Sequence, residues 1–340
     1  MKRNAEVGLI TKPSWKENSK MGAPHRLGRS DIQISPIVMG MWQAGKEMWT
    51  GIDDTEIRRA VHAAVEAGIN AFDTAEIYGK GHSERMLAAA TADIRDKVVV
   101  MTKVFSNHLQ YNQVISACNR SLKNLNTDRI DLYQIHWPSG SWGSRPVAIE
   151  ETMRALNDLK AQGKIRAIGV SNFSRAQLEE AAGFGRIDSF QPPYSLFWRH
   201  VEKEAMSYCQ ANNVTILAYS PMAQGILTGK FGPQHCFEKG DHRAGHRLFQ
   251  PDMRARVQQA LERLRPIAER QGATLGQLAL AWVISHPGTC AIAGARSAAQ
   301  AAENAHAGDI VLPPEVLAEM DAISRSVTDH LDGNPVQWKP

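Results

Sequence analysis

Short apolar runs alternate along this chain with longer stretches whose apolar positions recur every three or four residues. Eight runs read as strands: 34–39 (ISPIVM), 69–73 (INAFD), 98–103 (VVVMTK), 131–136 (DLYQIH), 165–170 (IRAIGV), 187–191 (IDSFQ), 214–219 (VTILAY) and 290–293 (CAIA). Several are almost continuously apolar, as parallel strands covered on both faces should be. The stretches between them have helical period. In 54–67, Ile57, Ala60, Val61, Ala64 and Val65 share one face, and Gly68 closes the helix. In 111–125 the face is Val114, Ile115, Cys118, Leu122 and Leu125. In 275–285 it is Leu275, Leu278, Ala279, Trp282 and Val283, stopped by Pro287. Further helices are expected near 82–91, 147–162, 174–183, 201–212 and 298–306.

Eight strands separated by helices predict an α/β fold, a closed (β/α)8 TIM barrel. The rival, an open doubly wound sheet, usually carries GxGxxG after its first strand. Here the first strand runs into GMWQAG, and GILTGK at 225–230 is too short for a phosphate loop and has no Ser/Thr after Lys230. Residues 25–33 read as an N-terminal β-hairpin turning near Arg29-Ser30. Residues 220–274 form a long excursion after the seventh strand, with a basic helix near 252–271. The expected organisation is an N-terminal extension over 1–24, one barrel domain over 25–326 whose last helix is near 313–326, and a tail over 327–340 ending in Trp338.

Composition narrows the class. Charged residues make up 22% and apolar ones 43% of 340 residues, ordinary globular usage. The net charge of +4 is dispersed, which argues against a nucleic-acid partner. No apolar run approaches the roughly 20 residues of a membrane helix. Cys118, Cys209, Cys236 and Cys290 lie far apart, which points to a reducing, cytoplasmic setting.

Barrel enzymes place their chemistry at the carboxyl ends of the strands. Those positions read Asp73, Lys103, His136, Ser171-Asn172, Gln191, Tyr219-Ser220 and Gly294, with Tyr78 five residues beyond Asp73. Singly, each has an ordinary structural reading as a cap, a surface lysine, a core histidine or a rim aromatic. Together they make a general acid with its tuners. A tyrosine titrates near ~10, and a lysine cation beside it is expected to lower that value. Burying the lysine requires a counter-ion, which Asp73 supplies. His136 can hydrogen-bond the atom that receives the proton.

These residues resemble the aldo-keto reductase superfamily from about residue 26 to 306. DTAEIYGKGHSE (73–84) is similar to its Asp-Thr-Ala…Tyr-Gly…Ser-Glu motif. VVVMTK and DLYQIH end in Lys103 and His136, where the family has its lysine and histidine. VSNFS, QPPYSL, YSPMAQGILTGKF and GARSAAQAAEN follow in order. The resemblance implies NADPH-dependent carbonyl reduction with Tyr78 as proton donor, reversible through its phenolate. It also implies a cofactor site. Met41 and Trp42 would reach the cofactor, and Trp42 the substrate too. Ser171, Asn172 and Gln191 would hold the nicotinamide carboxamide, with Tyr219 stacked on the ring. Ser220, Met222, Gln224, Gly225, Leu227 and Lys230 would line the pyrophosphate. Gly294, Arg296, Gln300, Glu303 and Asn304 would hold the adenosine end. Arg296 precedes helix 298–306, and an arginine fork suits a 2′-phosphate, which favours NADPH over NADH. Ala293-Gly294 stands where many relatives have Pro-Gly.

The expected partner is a small-molecule carbonyl. Trp42, Tyr78, His136 and Trp137 are its candidate contacts, and Trp49, Phe105, Trp142 and Trp198 lie in or near strand-end loops. Aromatic walls suit sugar, steroid, aryl or mycotoxin carbonyls alike. His235, Cys236, His242 and His246 cluster in a polar, glycine-rich segment that reads as a mobile flap rather than a metal site. Relatives of the resembled fold include potassium-channel β-subunits, so a cofactor-binding regulatory role stands as the alternative. Assembly into a homo-oligomer is left open.

Overall fold

The computed structural model describes residues 22–49 and 51–336. Residues 1–21, most of the expected extension, and the end of the tail with Trp338 lie outside the described residues. Two short strands come first, β1 (His25–Arg26) and β2 (Gln33–Ile34), paired antiparallel. The turn between them needs glycine: Gly28 has φ +56, and a Cβ there would sit 2.4 Å from the Asp188 carbonyl oxygen.

Eight parallel strands follow. They are β3 (Ile37–Gly40), β4 (Ala71–Asp73), β5 (Val99–Val104), β6 (Ile130–Ile135), β7 (Ile165–Ser171), β8 (Ser189–Gln191), β9 (Thr215–Ala218) and β10 (Thr289–Gly294). They close in chain order, with β10 pairing back onto β3, so the barrel expectation holds. Around them run α1 (Asp54–Glu66), α2 (His82–Thr91), α3 (Tyr111–Asn124), α4 (Ile149–Ala161), α5 (Arg175–Phe184), α6 (His200–Glu204), α7 (Met206–Ala211), α8 (Pro251–Arg270), α9 (Leu275–Ile284), α10 (Ala298–His306) and α11 (Pro314–Thr328). Two expected elements differ. The run 34–39 is divided between the hairpin and β3, because Pro36 has no N–H to pair and the Ser35 hydroxyl bonds the Ile37 carbonyl at 2.6 Å. The helix expected over 201–212 breaks into α6 and α7 at Ala205, whose φ of −106° departs from helical geometry. None of the helices in the described residues is long and apolar enough to cross a membrane.

Two apolar clusters hold the fold. The larger fills the shell between strands and helices. The smaller fills the lumen, where Ala71, Val99, Met101, Leu132, Ala167 and Leu217 meet Leu27, Ile32 and Ile34 of the hairpin segment. The hairpin therefore stoppers one end. Burying each such Leu, Ile or Met contributes about 1.5–3 kcal/mol before entropy is counted. Strand side chains alternate between faces, so the lumen residues of one layer stand two positions before those of the next. Leu132 is followed by Gln134 and His136, Met101 by Lys103, and Ala71 by Asp73. The lumen is hydrocarbon at the stoppered end and polar at the open one.

Near the stopper, the buried carboxylate of Asp131 accepts from Arg95 Nη2 at 2.9 Å, Arg166 Nη1 at 2.7 Å and the Val100 N–H at 2.9 Å. Arg166 also reaches Asp31, which ties the hairpin segment to the barrel. Asp131→Ala should lower stability by about 2–3 kcal/mol, less than a fully buried pair costs because both guanidiniums reach solvent. Urea denaturation checks this, with turnover per folded molecule expected to stay near the parent's.

Candidate active site

The open end of the lumen gathers the residues read from the strand ends. Lys103 leaves β5 inward and is wholly buried. Its ammonium bonds Asp73 Oδ1 at the end of β4 and the Thr74 carbonyl at 2.9 Å. Asp73 Oδ2 accepts from the amides of Gln134 at 3.1 Å and Gln191 at 3.0 Å. The loop after β4 brings Tyr78 over this pair, with Lys103 Nζ 5.1 Å from its ring centroid. The Tyr78 ring stands edge-on to His136 at 5.6 Å, and Phe105 meets the imidazole in the same way. The loop is fixed from below: Thr74 and Ser83 hydroxyls bond each other at 2.8 Å, and Ser83 donates to the Met41 carbonyl.

The electrostatics correct one expectation. Burial pushes the Tyr78 phenol well above its ordinary value, and the Asp73 charge adds to that. Lys103 does not bring it down, because its cation is matched by Asp73 and desolvation outweighs the remainder. Lys103 itself is lowered by burial while Asp73 opposes the shift. His136 is held well below its ordinary value by burial and then by the Lys103 cation, so its imidazole is neutral at pH 7. At neutral pH the chamber therefore holds a protonated phenol beside a neutral imidazole.

The expected cofactor residues fall into three groups. Ser171, Asn172 and Tyr219 form one chain: Ser171 donates to the Gln191 carbonyl, Asn172 donates to the His136 carbonyl, and Tyr219 donates to Asn172 Oδ1 at 2.9 Å. They brace the mouth as much as they face it. After β9, Ser220, Gln224 and Gly225 take positive φ in a tight turn, and Gln224 Oε1 meets His242 at 2.7 Å. Met222 is partly buried in this turn and accepts the N–H groups of Gly225 and Leu227. Met41 and Leu227 are members of the shell core and are 1% exposed, as is Ser171. In the third group, Gln300 Oε1 accepts the Arg296 N–H, Asn304 donates to the Gly294 carbonyl, and Glu303 accepts from Thr274. These hold the loop after β10 in shape, and Gly294 gives room to Gln43, whose Oε1 would stand 3.1 Å from a Cβ there.

The segment read as a flap is packed. Phe231, Phe237 and Phe249 stack edge to face, and the Arg243 guanidinium lies against Phe231, Phe237 and Trp49 at 4.9–5.2 Å. His235, His242 and His246 each face a different set of rings, so the histidines do not converge. His242 packs on Trp42 and Trp49 at 4.9 and 4.8 Å. Trp42 lies 6.4 Å from Tyr78, and Trp137 is buried against the exposed Trp142.

Sequence reasoning missed Gln134 and Arg243. Alternation along DLYQIH, which turns Gln134 to the same face as His136, was the signal for the first. The second is ion-paired with Asp241 two residues earlier, which by itself marks no site. Arg243, Arg296 and Lys230 nonetheless sense one another: Arg296 is lowered by burial and then by Arg243, and Lys230 by burial, Arg243 and Arg296. His136 Nδ1, Gln224 Nε2 and Gln43 Oε1 are buried without a protein partner. Arg243 and Arg296 both lie against the Trp49 ring, at 5.0 and 4.8 Å, and such cations together with orphaned amide groups fit a ligand that carries both an amide and phosphates.

Comparison with known proteins agrees. The chain is 36% identical over 281 residues to Aldo-keto reductase YhdN of Bacillus subtilis, covering 79% of this chain and 83% of that one. It superposes on the glycerol dehydrogenase AKR11B4 of Gluconobacter oxydans with TM-score 0.84 and 32% identity, over 92% and 98% of the two chains. It superposes on an aldo-keto reductase from Klebsiella pneumoniae in complex with NADPH with TM-score 0.73 and 29% identity, over 94% and 99%. The sequence pattern of the Aldo/keto reductase family matches residues 36–325, and the chain belongs to that family, as an NAD(P)H-dependent oxidoreductase.

Proposed function

We propose that the protein reduces an aldehyde or ketone to an alcohol with NADPH, Tyr78 being the general acid. The observation that carries this is the Lys103–Asp73 pair beneath a phenol that burial keeps protonated. Bound NADPH supplies the hydride. The chain supplies position and the proton. His136, neutral, hydrogen-bonds the carbonyl oxygen and orients it toward Tyr78 Oη. The proton passes from Oη to that oxygen as negative charge develops there, and the phenolate left behind faces the Lys103 ammonium. In the reverse direction the phenolate takes the alcohol proton.

Gln191 spends its amide N–H on Asp73, so its carbonyl oxygen is the atom suited to receive a carboxamide N–H. Ser171 and Asn172 stand beside it, with Tyr219 as the ring's stacking partner. Arg296, with Lys230 and Arg243 near it, is assigned to the phosphate that distinguishes NADPH from NADH. The likeness to a structure in complex with NADPH supports the choice. The rings of Trp42, Phe105, His136 and Tyr78 favour a carbonyl with an apolar or aromatic body.

Tyr78→Phe should bind NADPH within about twofold of the parent and lose about a hundredfold or more in kcat with 4-nitrobenzaldehyde, since only the transferable proton is gone. Fluorescence titration and steady-state rates check it, and undiminished turnover would remove Tyr78 from the acid role. Arg296→Ala should weaken NADPH binding by about tenfold or more and NADH binding far less, as expected when a charge-assisted bond to a phosphate is lost. Dissociation constants for both nucleotides test this, and equal losses would assign Arg296 elsewhere.

A further inference from the structure

We propose that Gln134 is a positioning residue of the reaction, whose buried carboxamide fixes Asp73 and through it the proton held at Tyr78. The proposal rests on the reading of Tyr78, Lys103 and Asp73 given above and adds a residue that neither the strand ends nor the family motifs pick out.

Gln134 lies in the lumen one layer beneath His136 and is 0% exposed. The layers below it are hydrocarbon. A carboxamide there is costly unless every polar atom is bonded, and a methionine or leucine would fill the space without that cost. Its bonds are directed. Nε2 donates to Asp73 Oδ2 at 3.1 Å, and Oε1 accepts from Gln191 Nε2 at 3.2 Å and from the Ser189 hydroxyl at 3.4 Å. Asp73 is thereby divided: one oxygen serves the Lys103 ammonium, and the other is held by two amides. The neighbouring strand makes room. Gly169 is the register partner of Gln134, and a Cβ on it would fall 2.9 Å from Gln134 Cγ and 2.2 Å from the Ser189 hydroxyl. Gly169 does not have positive φ, so space and not backbone freedom requires glycine there.

A donor to a carboxylate stabilises its charged form. Without Gln134, the Asp73 charge is less satisfied, pulls harder on Lys103 and raises the negative potential at Tyr78. The phenol becomes a poorer acid. The charged and titratable groups facing this cluster are Lys103 from β5, Tyr78 from the loop after β4 and His136 at the end of β6. Strands β7, β8, β10 and β3 present uncharged Gly169, Ser171, Ser189, Gln191, Gly294 and Gly40, and Tyr219 after β9 is bonded to Asn172. Glu84 stands behind β5, bonded through Thr102.

The test uses the full chain with NADPH and 4-nitrobenzaldehyde. Gln134→Met keeps the volume and removes the donor. Its kcat should fall about tenfold or more while KM stays within about threefold, and the alkaline limb of kcat should move upward by about half a pH unit or more. Gln134→Glu restores a donor only when its new carboxyl is protonated, so its kcat should recover toward the parent's as pH is lowered, whereas Gln134→Met should not. A merely structural role would change the melting temperature and leave the pH profile in place. The proposal is overturned if the Gln134→Met profile coincides with the parent's, or if Gln134→Glu gains nothing over Gln134→Met at low pH. Should either variant fail to fold, Ser189→Ala, which removes one of the two donors to the amide's oxygen and leaves Gln191, should show the same upward shift in smaller measure, and an unmoved limb there overturns the proposal. Full activity of Tyr78→Phe would instead sink the underlying reading, so the two failures are distinguishable.

Discussion

A lysine ammonium sealed inside a barrel is the constraint around which the rest is arranged. Unpaired, such a cation would either lose its proton or unfold its surroundings. Asp73 meets it from the adjacent strand, and the Thr74 carbonyl takes another of its hydrogens. That commits β4 and β5 to one register, in which Asp73 pairs with Met101, and commits the loop after β4 to cross the pair. Tyr78 lies above the ammonium because the loop is anchored on both sides of it, by the Glu76 N–H on the Lys103 carbonyl and the Ser83 hydroxyl on the Met41 carbonyl.

The pair also depends on what surrounds it. The hydrocarbon beneath removes competing water, which strengthens the attraction and raises the cost of any unsatisfied atom in equal measure. Amides from β6 and β8 close the aspartate's remaining valences. Shell packing fixes the strands that carry these groups. Polar chemistry at the mouth and apolar packing below are thus one gradient, produced by the twofold alternation of eight strands.

Much of this was legible in the sequence because it depends on period. Strand and helix alternation gave the barrel, and polar residues ending apolar runs gave Asp73, Lys103 and His136. What escaped depends on neighbours distant in the chain. Gln134 looked like a strand residue among others until Gly169 and Asp73 stood beside it. Met41 and Leu227 belong to motifs at the mouth and are also members of the shell core, a double membership that a linear motif does not encode. The tuning of Tyr78 was misjudged for a related reason. The sequence showed a cation near a phenol, but the balance between that cation, its counter-ion and desolvation is set by burial. Arg243 gave no sign of its place because the rings it lies against, Trp49, Phe231 and Phe237, are brought together only by the fold.

The hairpin stopper has a consequence for the supply of hydrogen ions. With Leu27 at 0%, Ile32 at 2% and Ile34 at 0% exposure, the hairpin segment covers one end of the lumen with apolar side chains. Under the proposed reaction, a phenol that has given up its hydrogen would be recharged from the side of the imidazole and Trp42, away from the hairpin. One mouth would then serve both the reactants and the hydrogen ions they consume.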